Sequence, residues 1–168
     1  MMKRFSWVVL ALAVIWSAGC AKKREITDLE RKQAANLVSE AQFAVTVREY
    51  PRAEGLFVQA TQLCPDNGGY WVNLGSVRKR LDQRDGARDA YEHGLAAFRT
   101  AAKQNPTDAD PALQEIYVLA LLGRIDDARA LEGQLAARYP NDHDVRVFLE
   151  DKRLDQILAD SQFKKFAL

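Results

Sequence analysis

Cysteine and histidine, from which zinc sites and nucleophilic centres are often built, are nearly missing: the 168 residues hold two of each. Cys20, Cys64, His93 and His143 match no zinc-site spacing. Ser39, Ser76 and Ser161 stand in no nucleophile-elbow context. No glycine-rich phosphate loop follows a strand, because no segment reads convincingly as a strand. Neither sign of charge dominates. The 24 Lys and Arg face 23 Asp and Glu, and this balance leaves no nucleic-acid footprint, which needs a clustered basic surface. One long apolar run exists, at 7–16, and it is too short to span a bilayer with flanks on both sides. The acidic pair Asp126 and Asp127 falls at a helix start, where carboxylates complement the helix dipole. These absences point away from catalysis. The chain is read as a non-enzyme with no cofactor, no metal and no nucleic-acid partner.

What is present begins at the N-terminus. Lys3 and Arg4 form a positive n-region, 7–16 an apolar h-region, and Ser17, Ala18 and Gly19 lead to Cys20. That order is a secretory signal with small residues before the cut. It resembles the lipobox of bacterial lipoproteins, with Ser17 where Leu or Val is commonest. The resemblance implies a signal peptide over 1–19, cleavage before Cys20, and acyl chains (palmitate among them) on its sulfur and new amino end. Two or more chains give stable anchoring where one does not, at about 0.8 kcal/mol per buried methylene. An ordinary signal peptide cut after Ala18 or Gly19 is the alternative. Ala21 resembles the residue class that sends such lipoproteins to the outer membrane, so the expected place is the periplasmic face of the bacterial outer membrane. The lipidated N-terminus and tether, 20–27, hold Lys22, Lys23 and Arg24. These either attract anionic head groups or are simply solvated.

Without residues 1–20 the chain keeps 22 basic and 23 acidic side chains, and its length suits one domain. With Cys20 acylated, Cys64 is the only thiol left. It is read as a packed small apolar residue, with an intermolecular disulfide as the other option.

Alanine and proline recur at fixed intervals. Ala53 and Ala87 are 34 residues apart, and Ala87 and Ala128 are 41 apart. Pro65 and Pro106 are 41 apart, and Pro106 and Pro140 are 34 apart. The seven-residue excess between Ala87 and Pro106 is about two helical turns, so it can lengthen a helix without turning its apolar face away. The face Ala87, Tyr91, Leu95, Phe98, Ala102 supports that lengthening. A period of about 34 residues resembles the tetratricopeptide repeat (TPR), a helix–turn–helix unit. Trp71, Leu74, Gly75, Ala87 and Tyr91 fit its pattern, with Arg78 in place of Tyr. The first unit carries Ala41, Ala53, Phe57, Ala60 and Pro65; the third carries Leu119, Leu122, Gly123, Ala128 and Pro140. The third departs at Glu115 and Ile116, where Leu-Gly is typical, and at Glu132, where an aromatic is usual.

The resemblance implies an all-α chain: a short TPR superhelix of about three helix-turn-helix repeats plus a C-terminal capping helix, over 28–158. The repeats are placed at about 34–67, 68–108 and 109–142, and the capping helix at 143–158. Thr27 and Glu30 have capping-box spacing for a first helix over about 28–49. The tail, 159–168, ends in Phe163, Phe166 and Leu168. It folds back, binds a partner or touches the membrane.

In this family the first helix of each pair usually lines a concave groove. That geometry places Val38, Gln42, Val45 and Thr46 there from the first repeat. The second gives Val72, Asn73, Ser76, Lys79 and Arg80, and the third Leu113, Gln114, Tyr117 and Leu121. Apolar anchors with a few polar and basic groups suit a peptide or helix laid in a groove. Asn73 matches one member of the family's carboxylate clamp; Val38, Asp110 and Gln114 match none. The pairing of lipobox and repeats resembles the lipoproteins that assist secretins and pilus machines, including those of Flp (tight-adherence) pili. The expected function is a membrane-anchored scaffold or adaptor that holds a protein or peptide partner during assembly of a cell-envelope machine such as a pilus or secretion system. Outer-membrane protein assembly and adaptors of peptidoglycan enzymes use the same architecture. Two further readings are a self-associating structural lipoprotein, through the helix near Phe98 or through the tail, and a carrier of hydrophobic ligands.

Overall fold

The structure, a computed structural model, describes residues 25–168. The expected signal peptide, Cys20, Ala21 and the basic residues Lys22, Lys23 and Arg24 lie outside the described residues. Within them the fold is all-α, with no strand. Three long helix pairs follow one another: α1 (Asp28–Thr46) with α2 (Tyr50–Leu63), α3 (Gly68–Arg80) with α4 (Arg84–Gln104), and α5 (Asp110–Leu121) with α6 (Ile125–Arg138). Two short helices, α7 (His143–Glu150) and α8 (Arg153–Ala159), and a 3-10 turn (Phe163–Lys165) complete it.

The ends of these helices have local causes. Thr27 and Glu30 form a reciprocal capping box: the Glu30 N–H donates to Thr27 Oγ1 at 3.2 Å, and the Thr27 N–H donates to Glu30 Oε2 at 2.9 Å. Asn67 and Asp142 cap α3 and α7 by accepting from Tyr70 N (3.2 Å) and Val145 N (2.9 Å). Helix α1 stops at Thr46, short of the expected 49, because Arg48 adopts φ 62°. The same turn recurs. Asp82 has φ 60° and Gly123 φ 73°, and the three positions are again 34 and 41 residues apart. In each turn the next residue's N–H reaches back over the helix end: Glu49 to Ala44 O at 2.8 Å, Gln83 to Arg78 O at 2.9 Å, Arg124 to Leu119 O at 2.9 Å. Such six-to-one bonds satisfy carbonyls that a helix terminus otherwise leaves unpaired. The period read from side chains is therefore also a period of the backbone.

Small residues set the spacing between helices. Gly75 of α3 lies under the Tyr91 ring of α4, and a Cβ there would come within 2.4 Å of Tyr91 Cε1. At Gly68 an added Cβ would come within 2.7 Å of the Phe98 ring. The repeat excess lies in α4, which is 21 residues long where α2 and α6 are 14. Phe98, on that helix, is half-buried against the core. Arg138 of α6 donates to the Ala102 carbonyl of the same stretch at 3.4 Å. One apolar core joins α1, α2 and α3 around Phe57 and Leu74; a second runs from α4 through α5 and α6 to the C-terminal segment. Cys64 is a buried free thiol in the first, and burial pushes its pKa up.

The single closing helix expected over 143–158 is two helices. Lys152 takes the left-handed conformation, φ 50° and ψ 48°, and the Gln156 side-chain amide donates to the Asp151 carbonyl at 2.8 Å, satisfying the broken end. The break folds α8 back, so that Leu154 is wholly buried against the second core. Among the described residues no helix is long and apolar enough to cross a membrane.

Candidate functional site

The face shared by α1, α3 and α5 carries most of the residues expected to meet a partner. Gln42, Thr46 and Arg80 are exposed; Val45, Val72, Asn73, Ser76, Lys79, Leu113, Gln114 and Tyr117 are half-buried. Val38 and Leu121 are buried. Their side chains belong to the core, and Leu121 offers this face only its carbonyl. Val72 and Leu113 also pack against the second core. Gln42, Val45, Asn73, Ser76 and Arg80 surround one hollow of about 360 Å³, floored by Phe57 and Val77. Thr46 is engaged at its own helix end, where Oγ1 donates to Phe43 O at 2.6 Å. Gln114 is tied along α5 to Asp110 at 3.3 Å.

Arg80 is the charged group at this hollow. Among the described residues no ion pair holds it. Its guanidinium donates to Tyr50 Oη at 3.2 Å and lies 5.4 Å from the centre of the Tyr50 ring. The same group sits 4.7 Å over the ring of Phe166. Aromatic faces thus meet its charge, leaving it able to take an acceptor from a bound chain.

Phe166 reaches that position because residues 160–168 return across this face. Phe163 is buried, its ring edge-on to Tyr117 with centroids 5.7 Å apart. The Tyr91 hydroxyl donates to the Phe166 carbonyl at 3.0 Å, with Ser76 Oγ 3.5 Å from the same hydroxyl. The Leu168 N–H donates to the Leu121 carbonyl at 2.9 Å. Burial pushes the Tyr91 hydroxyl up to about 12 and raises that of Tyr117, with Asp160 adding to the latter. Of the three fates open to the tail, the chain adopts the fold-back. The apolar residues Phe163, Phe166 and Leu168 were visible in the sequence; the face they reach was not.

Sequence reasoning also missed two ion pairs between helices. Arg99, on α4, binds Glu115 of α5 at 2.6 Å. Arg78 of α3 binds Glu54 of α2 at 2.9 Å and donates to the Gly86 carbonyl at 3.2 Å. Among the described residues no group of His, Cys, Asp and Glu is arranged to hold a metal ion. No protein-family model matches the chain, and no curated protein is significantly similar to it.

Proposed function

We propose that this chain is a membrane-anchored TPR adaptor, lipidated at Cys20, whose first-helix face holds a segment of a protein partner in the cell envelope. The observation that carries the reading is the hollow between α1 and α3. It offers apolar floor residues, the amides of Gln42 and Asn73, and the Arg80 guanidinium, which has no acidic partner among the described residues. Those are the parts that a bound peptide needs: apolar contacts for affinity and polar groups for register. Assembly of a pilus or secretion system is the process proposed, on the strength of the lipobox joined to a short repeat array. Capture from native membranes by the tagged full-length protein tests it, beside the variant Val72→Glu with Tyr117→Ala. A partner held by the wild type and lost with the folded variant is expected; equal capture by both refutes the groove. Anchoring is tested separately. Cys20→Ala should leave the membrane fraction while keeping its helical circular dichroism, and unchanged fractionation would refute the anchor.

Self-association is a second reading, favoured by a surface other than those the sequence offered. Phe98 and the tail are engaged within the chain. Leu29, Phe43 and Val47 are instead exposed on and just after α1, at 64%, 61% and 47%. An uncapped end of a repeat array leaves apolar surface in water. A concentration-dependent mass of the soluble fragment 21–168, removed by Phe43→Asp, supports this reading; a monomer at high concentration sinks it.

A further inference from the structure

The geometry points to residues 160–168 as a resident mimic of the partner: the groove binds a short helical turn with aromatic residues at i and i+3 and an aliphatic residue at i+5, and the chain's own segment must leave before one enters. This rests on the adaptor reading and names the chemistry of the partner.

The contacts define what fits. The 3-10 turn Phe163–Lys165 puts Phe163 and Phe166 on one side, as a three-residue period requires. Phe163 meets Tyr117, Phe166 meets Arg80, and the Leu168 N–H takes the Leu121 carbonyl. Lys164 and Lys165 face solvent. These three anchor points are on α3 and α5, two of the three helices expected to hold a partner, and the Tyr91 hydroxyl of α4 adds a hydrogen bond to the Phe166 carbonyl. The segment is also a poor filler of its site. Phe166 is only half-buried, and it borders the hollow of about 360 Å³ that reaches across to Gln42 and Val45 on α1. An incoming chain with a larger side chain at the Phe166 position, continuing toward α1, gains contacts that the resident segment lacks. Asp160, Ser161 and Gln162, which join the segment to α8, are exposed.

A site that is occupied most of the time lowers apparent affinity by the fraction of molecules in which it is free. The test titrates the full chain, and its Phe163→Ser/Phe166→Ser variant, with a fluorescein-labelled peptide of residues 158–168, read by anisotropy. The variant should bind the peptide, and the unaltered chain should bind it at least about tenfold more weakly. Adding Arg80→Glu to the variant should remove at least about tenfold of the gained affinity. Equal binding by both chains, or no binding by a variant that keeps its helical circular dichroism, overturns the inference. If the variant unfolds, hydrogen exchange of the unaltered chain decides. Amides of Phe166 and Leu168 exchanging well ahead of Leu119 uphold it; exchange in step with global unfolding overturns it. Membrane capture separates this from the adaptor reading. Capture of a partner equally by the unaltered chain and the variant keeps the adaptor and overturns the mimic. Peptide binding by the variant without any captured partner keeps the mimic and overturns the adaptor.

Discussion

Arg78, Glu115 and Glu132 stand where the repeat pattern has Tyr, Leu and an aromatic. Each departure is matched by an opposite charge: from a neighbouring helix for Arg78 and Glu115, and from its own helix for Glu132. Arg78 takes Glu54, Glu115 takes Arg99, and Glu132 shares Arg129 with Asp155 of α8. Glu115 is nearly buried, its side chain 11% exposed; without Arg99 it would hold an uncompensated charge, which costs far more than a surface pair is worth. The Arg78–Glu54 and Arg99–Glu115 pairs join residues far apart in sequence, so those two departures have no visible partner until the helices are assembled. Tyr91 is the residue whose chemistry can be titrated. Its neutral hydroxyl is buried and donates to Phe166, and its folded pKa of about 12 lies above the value near 10 of an unfolded chain. The folded state therefore holds the proton more tightly. Its contribution is complete below about pH 10 and is lost as pH rises toward about 12. Tyr91→Phe is expected to cost about 1 kcal/mol at neutral pH and to flatten the alkaline loss, measured by urea unfolding across that range. Tyr117 and Cys64, also raised by burial, remain in both proteins and cancel in the difference.

At the scale of the element, the turn between paired helices is the repeated part. Arg48, Asp82 and Gly123 share one left-handed conformation, although only one of them is glycine. An L side chain in that region costs roughly 1–2 kcal/mol, and glycine avoids it. Gly123→Ala should therefore lower stability by about 1 kcal/mol in urea unfolding, with no steric part, because the nearest atom to an added Cβ is 3.9 Å away. A neutral result would mean the third turn is not held as the other two are. Helix α4 shows how a period tolerates an insertion. Two added turns keep the Ala87, Tyr91, Leu95, Ala102 face buried, since seven residues return a helix nearly to the same angle. That helix was legible from spacing alone. The division of 143–158 was not, because Lys152 carries no glycine or proline signal for its turn.

Across the whole molecule, stability in a stacked helical array passes between neighbours. The end at α7 and α8 covers α5 and α6, with Leu154, Val145 and Phe163 buried in that core. The other end leaves Leu29 and Phe43 in water. Leu154→Ala should cost about 2–5 kcal/mol and should speed hydrogen exchange in α5 and α6 more than in α1 and α2. Uniform acceleration would show a single cooperative unit. The predicted groove face is likewise a property of the assembled array. Its α1–α3 half is open, while its α5 half is covered by residues 160–168.

Spacing, small residues and caps are local, and the sequence by itself determined what depends on them: helices, their pairing, the period of 34 residues with its seven-residue excess, and the capping box at Thr27. These follow from helical periodicity and backbone conformation, which act over a few residues. The tertiary structure alone decided where 160–168 returns, that Leu121 and Val38 turn inward, and which charges pair across helices. Those outcomes depend on the depth of a face built by three helices distant in sequence, and burial of a side chain is settled only when every neighbour that excludes water from it is in place.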